Sequence, residues 1–417
     1  MNITFWSDPV HFIGNWLQGL LLGWGLMAGL VQFLLSLLGV IVLAMGGMMF
    51  VIFLIWYERK IIGRLQDRYG PNRVGPWGIF QPIADMVKIF TKEYITPRGA
   101  DVVPYNLAPV LAVAAVLMIW AVVPFAQHTF GVDLNVGVLY IVGVGGIGTL
   151  GIIFAGWSSN NKYALLGAFR VVAQLISYEV PMVLALLVPV MFSGSMGLNA
   201  IVEAQANGNW FLFVSPVAAL VFFISSVAEV NRAPFDLVEA ESEIVAGFNI
   251  EYSGLKFGMF YVAEFLHAFT VSLIFVALFL GGWQGPGAAN FPLLGFVYFG
   301  IKTMAVHFLG IWMRGSLPRF RIDQMMNLNW KVLTPVSLAL VMATALLAKA
   351  FENSSSFSKW LVQFIANLVI GWVSLELLRY AGRHERDIEL MPIAGRPAPE
   401  IPLSEPEAPA APSGAHS

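Results

Sequence analysis

The chain has 417 residues, of which 58% are hydrophobic and 12% charged, and its formal net charge is −2. A mean hydropathy of +0.74 excludes an ordinary soluble domain and points to a polytopic helical membrane protein. The 23 Lys and Arg lie in short clusters beside apolar runs, which excludes a broad basic surface for nucleic acid, and zero cysteines exclude disulfides, thiolate-bound iron–sulfur clusters and Cys-ligated zinc.

Residues 1–29 read as an N-terminal extension. The first basic residue of the chain is Arg59, so no cleavable secretory signal is expected. No Asp, Glu, Lys or Arg occurs from position 9 to 57, a run longer than one bilayer crossing needs. We read an interfacial or re-entrant piece over 12–24 and a span over 30–57. Further spans are predicted at 107–125, 134–157, 164–192, 211–230, 256–280, 291–312, 333–348 and 361–378. The fold class is therefore an all-α polytopic membrane protein with about nine transmembrane helices. With the N-terminus outside, twenty basic residues fall in cytoplasmic segments, Lys349 and Lys359 fall outside, and Lys302 lies within a span. The opposite threading would invert that asymmetry.

The cytoplasmic loops are then 58–105, 231–255 and 313–332, within a transmembrane domain over 30–391. In the first loop Ile79, Ile83, Met86, Phe90 and Tyr94 recur at helical spacing, with Gln81, Asp85, Lys88 and Lys92 opposite. This predicts an amphipathic cytoplasmic surface helix, lying on the membrane, under a partner or on the chain's own loops. The tail over 392–417 holds seven prolines and reads as disordered.

Between the spans at 211–230 and 256–280 the chain places six carboxylates in 23 residues: Glu229, Asp236, Glu239, Glu241, Glu243 and Glu251, with Arg232 as the one basic residue among them. Acid this dense beside a bilayer marks a site that handles protons or a polar ligand. Asp236, Glu239 and Glu243 stand at i, i+3 and i+7, one face of a helix, and a solvated acidic face is the plainer reading of the same spacing. Glu179 and Glu264 lie inside spans, where a carboxyl must be neutralised by a proton or a partner. Pro181 frees a backbone carbonyl beside Glu179. Glu58 and Arg59 end the first span, where a snorkelling or paired helix end is the plain alternative.

Two other patterns are weaker. Gly143, Gly145 and Gly148 spell GxGxxG in mid-span, without the preceding strand or following acid of a dinucleotide site, so helix packing through small residues is expected. His267 and His307, in neighbouring spans, raise a haem clamp, and Glu264 with His267 raises a di-iron pair. The second pair and extra carboxylates of a di-iron bundle are missing, so both read as buried histidines and no metal is expected.

Three blocks carry a resemblance: ERKIIGRLQDRYGPNRVGPWGIFQPIADMVK over 58–88, AEVNRAPFDLVEAESEIVAGFNIEYSG over 228–254 and RGSLPRFRIDQMMNLNWKVLTP over 314–335. With the spans between them, the stretch 30–379 resembles the H-type (or type 1) membrane subunit family of proton-pumping NADH:quinone oxidoreductase, respiratory complex I. The ninth span exceeds the eight common in that family. The resemblance implies a multi-pass protein of a bacterial cell (inner) membrane that forms the wall of a quinone tunnel and couples quinone reduction to proton translocation. Quinone is then the substrate, and flavin and iron–sulfur clusters belong to partner subunits. The implied partners are the peripheral-arm iron–sulfur and quinone-site subunits, small membrane subunits and antiporter-like pumping subunits.

By matching position, the resemblance makes Glu58, Arg59, Asp85 and Arg232 quinone-tunnel residues. It puts Glu179, Glu229, Asp236, Glu239, Glu241, Glu243 and Glu264 on a proton path, and Arg314, Arg319 and Arg321 beneath the peripheral arm. Lys302 would extend the buried charges. The chain is expected to have no complete catalytic set of its own. Rival readings are the anchor subunit of a related membrane-bound hydrogenase complex, a stand-alone proton or cation transporter, and a passive scaffold.

Overall fold

A computed structural model describes residues 9–127, 131–236, 246–288, 291–352 and 356–390. The described residues form helices and no strand, as expected of an all-α membrane protein. Eight helices among them are long and apolar enough to cross a bilayer. The chain divides into two compact units, residues 1–371 and 372–417, and every site below belongs to the first.

Helix α1 (Pro9–Gly23) has 15 residues, short of the length a bilayer crossing needs. Helix α2 (Ala28–Leu65) has 38 residues, roughly 57 Å at 1.5 Å per residue, so it outruns the hydrocarbon layer by several turns. Its buried positions include Gly47, Val51, Leu54 and Glu58. Those spacings form one stripe, so Glu58 is carried inward by the face that buries Val51 and Leu54 while Arg59 turns aside.

After α2 the first loop forms α3 (Gln81–Thr91), whose Ile83, Met86 and Phe90 are exposed. The polar face works within the chain: Arg59 donates to Asp85 at 2.5 Å, and Gln81 and Lys88 flank the same carboxylate. The amphipathic helix thus leaves its apolar face open.

The bundle continues with α4 (Val102–Trp120), α5 (Gly137–Ser158) and α6 (Lys162–Ser193). Gly156 lets α5 and α6 touch, since a Cβ there would collide with the Ala168 side chain. Within α6, Pro181 cannot donate to the carbonyl four residues back, that of Ser177. Asn329 Nδ2 supplies the donor instead, at 2.6 Å. The short α7 (Leu198–Ala204) leads to the predicted span 211–230, which is broken into α8 (Phe211–Val214) and α9 (Pro216–Glu229). Pro216 explains the break: it starts α9, and Ser215 before it takes φ −135°, ψ 67°.

Helix α10 (Gly254–Phe279) is the central element, with almost two-thirds of its residues buried, and α11 (Pro292–Ser316) packs beside it. Then follow α12 (Ile322–Leu328), a π-helical turn over Asn329–Leu333, α13 (Thr334–Ala350) and α14 (Ser356–Leu390). The main apolar core gathers around Phe222, Leu266, Phe279 and Phe299.

A separate clamp ties the first loop to the segment before α10. Lys256 Nζ lies between the rings of Tyr94 and Tyr105, at 4.3 and 4.2 Å, Tyr105 donates to Glu251 O at 2.7 Å, and Ser253 donates to Glu93 O at 3.1 Å. Asn161 also donates to the Glu251 carboxylate at 2.8 Å.

Candidate functional site: a clasped carboxylate between two cavities

The bundle closes around Glu58, which is only 2% exposed. Arg232 and Arg314 both donate to its Oε1, leaving Oε2 without a hydrogen-bond partner among the described residues. Arg232 is itself 7% exposed, and its Nε lies 3.3 Å from Glu264 Oε1. Its guanidinium stands 4.5 Å over the Phe265 ring. Burial disfavours the Arg232 charge, but the attraction of Glu58 and Glu264 outweighs it and raises its pKa. The buried Glu58 and the half-buried Glu264 thus hold the arginine in its charged form.

Three elements converge here for local reasons. Glu58 arrives on the buried stripe of α2. Arg314 follows His307 and Ile311 on the inward face of α11, spaced i, i+4 and i+7, so this residue, expected at the rim, turns in to Glu58. Arg232 sits in the segment after α9, where Gln174 Nε2 donates to Ala228 O at 2.7 Å and to Phe235 O at 2.8 Å. Phe320 N donates to Pro234 O at 3.0 Å, and Phe235 packs between Tyr178 and Phe320. Tyr178 in turn donates to Met325 O at 2.9 Å.

Around Arg232 lie two cavities. The first, with about 1020 Å³ of empty space, is lined by Glu229, Asp236, Glu264 and His267 as well as by Arg232 and Arg314. Gly145 and Gly148 also line it, and a Cβ on Gly145 would stand 3.9 Å from Glu229 Oε1. Two of the GxGxxG glycines therefore leave room for the cavity, which goes beyond the packing role expected of them. The second cavity, about 510 Å³, lies among α9, α10 and α11. A third, about 420 Å³, joins Glu179 to Glu229 and His267. His267 Nε2 stands 3.9 Å from Glu229 Oε1.

Of the residues singled out in the sequence, Glu58, Arg232, Glu264 and Arg314 form one cluster, Glu229 and Asp236 share its cavity, and Glu179 faces the adjoining one. Arg59 and Asp85 form a separate pair at the foot of α3. Arg319 and Arg321 are exposed. Glu239, Glu241 and Glu243 lie outside the described residues. Asp236 stands in irregular backbone.

The two histidines line different cavities, so a haem clamp between them finds no support, and among the described residues no group of three His, Cys, Asp or Glu side chains could hold a metal. Lys302 is bonded to backbone: its Nζ donates to Leu280, Gly282 and Gln284 carbonyls at 2.8, 3.1 and 2.8 Å. Sequence reasoning missed Gln174 and Asn329, although each is a polar amide among apolar neighbours, a signal that it bonds to freed backbone.

The site is thus a carboxylate clasped by two arginines beside acid-lined cavities, set in a bundle of helices long and apolar enough to cross a bilayer. Residues 38–345 match the protein family described as NADH dehydrogenase. The chain is 49% identical over 316 residues to the H subunit of NADH-quinone oxidoreductase from Dehalococcoides mccartyi (strain CBDB1), covering 76% of this chain and 86% of that one. It is 47% identical to the corresponding protein of Geobacillus sp. (strain WCH70), covering 72% and 90% of the two chains. It is 42% identical to that of Vesicomyosocius okutanii over 350 residues, covering 82% and 95%. The chain belongs to the H-subunit family of NADH-quinone oxidoreductase, and so is one component of an oxidoreductase complex.

Proposed function

We propose that this chain forms the membrane wall of the quinone tunnel in its oxidoreductase and passes the charge change of quinone reduction to a row of buried carboxylates. The observation that supports this is the Glu58 clasp: it stands where two cavities meet, and Arg232 links it directly to Glu264. A quinone has a long apolar tail and a small polar head. It needs an apolar slot ending in charged donors, and in the first cavity apolar side chains outnumber polar ones beside Arg232 and Arg314.

The Arg59–Asp85 pair and the open apolar face of α3 would form the mouth of the tunnel. Reduction of a quinone takes up negative charge and then protons. A charge appearing near Arg232 competes with Glu58 and Glu264 for the same guanidinium, which changes the proton affinity of whichever carboxylate is released. From Glu264 the acid-lined cavity leads to Glu229 and on to Glu179, with Asp236 on its wall, and Glu239, Glu241 and Glu243 would complete the path. Antiporter-like subunits at its far end would do the pumping. Residues 30–391 would form this tunnel domain, with 1–29 as an extension and 392–417 as a tail.

Flavin and iron–sulfur clusters would sit in peripheral-arm partners, since this chain contains no cysteine. Exposed Arg319 and Arg321 suit contact with acidic groups on that arm. The site of action would be the bacterial inner membrane, with the N-terminus outside.

Glu179→Gln, Glu241→Gln and Glu264→Gln in the assembled complex each test the path. Quinone-coupled turnover and pumping are expected to fall by roughly tenfold or more, with assembly unchanged on native gels. Full coupled activity in all three would overturn the path as drawn.

A further inference from the structure

The second cavity differs from the first in its chemistry. Among its described lining residues there is no carboxylate; Val227, Phe275 and Ile311 contribute its apolar wall. Three buried polar groups nevertheless border it. Ser226 is 1% and His307 4% exposed, and Ser226 Oγ, His307 Nε2 and Arg232 Nη2 have no hydrogen-bond partner among the described residues.

His307 is held in one orientation. It hydrogen-bonds the backbone of Ala268, stacks on Tyr57 at 6.5 Å between ring centres, and meets Phe269 edge-on at 5.8 Å. With one ring nitrogen so engaged, the other presents itself to the cavity. Buried polar atoms are retained in proteins when a ligand satisfies them. Arg232 Nη2 can only donate, a neutral imidazole Nε2 accepts, and Ser226 does either. A ligand that only accepts, such as a quinone carbonyl, would leave His307 unserved. Water serves all three, and the space holds a few molecules.

We propose that this cavity holds a hydrogen-bonded water cluster and that His307 is its proton-carrying group, a branch beside the carboxylate path. The proposal rests on the reading above, because the proton must answer to the Glu58 clasp. A proton passes from a water to Nε2, giving imidazolium, and returns to water from the same atom; no electron moves. Glu58 and Tyr57 on α2, Arg232 in the loop, Arg314 on α11, and Ser226 and Ser272 on α9 and α10 surround the ring. While both guanidinium groups remain there, their charge opposes imidazolium and Glu58 favours it. Diverting Arg232 toward a reduced quinone removes part of that opposition, and His307 takes up its proton then.

The test uses the assembled complex in proteoliposomes. His307→Gln is expected to slow coupled turnover about tenfold near pH 8, with partial recovery near pH 6 where bulk protons substitute, and to lower protons moved per electron pair. Gly310→Leu adds bulk to the cavity wall without replacing a titratable group, since Gly310 lines the cavity and a Cβ there meets nothing within 4 Å. It is expected to reproduce both effects. Gly300→Leu, on the same helix and equally open, is the control and is expected to behave as wild type. Wild-type pH profile and proton yield in both His307→Gln and Gly310→Leu would overturn the proposal. If His307→Gln fails to assemble, Gly310→Leu decides alone. Normal coupled activity in Glu179→Gln, Glu241→Gln and Glu264→Gln with a changed pH profile in His307→Gln would remove the carboxylate path and leave this branch standing.

Discussion

Neutralising Glu58 leaves Arg232 and Arg314 facing each other across an uncharged side chain. Removing one partner from a buried ion pair costs about 3–5 kcal/mol, because the remaining charge stays out of water. Glu58→Gln is therefore expected to lower the thermal stability of the purified complex and to abolish most quinone reductase activity, measured by thermal melt and steady-state turnover. Arg232→Lys is expected to retain assembly but lose most activity, since a point-like ammonium cannot span Glu58 and Glu264 as a planar guanidinium does. At this scale the sequence was informative about identity and silent about partnership. Glu58, Arg232 and Glu264 stand out by being charged near or within apolar runs, but their pairing across 174 and 32 positions depends on tertiary packing. Arg314 shows the limit: its position near a helix end suggests a surface role, and its place on the buried face of α11 brings it to Glu58.

Among the elements, α6 carries the architecture of the site. Its Gln174 holds both ends of the segment bearing Arg232, Tyr178 reaches Met325, and the Ser177 carbonyl freed by Pro181 receives Asn329. Asn329→Ala is expected to cost about 1–3 kcal/mol by stranding that carbonyl, read as a lower melting temperature in detergent with quinone affinity little changed. The proline was visible as a signal of a freed carbonyl, while the donor that answers it came from 148 residues further along. Helix existence was legible throughout, since long uncharged runs have few alternatives in lipid. The break at Ser215 and Pro216 was the element-level surprise, and its cause is a proline whose local rule was available but subordinate to the apolar run.

For the whole molecule, the distribution of Lys and Arg predicts orientation. Reporter fusions are expected to place residues near 80, 245 and 320 in the cytoplasm and residue 352 outside, with accessibility to a membrane-impermeant label as the measurement. Reversed labelling would invert the positions of the clasp and the proposed tunnel mouth. At the other end of the bundle the three carbonyls around Lys302 match the three protons of an ammonium group one for one. All three protons are thus turned to backbone, where the sequence suggests a continuation of the buried charges. Lys302 lies 12 positions from Arg314, roughly 18 Å along α11. A positive charge fixed at that distance would repel protons and sodium ions moving down the bundle axis, so Lys302→Met is expected to raise the passive proton leak of the complex in liposomes.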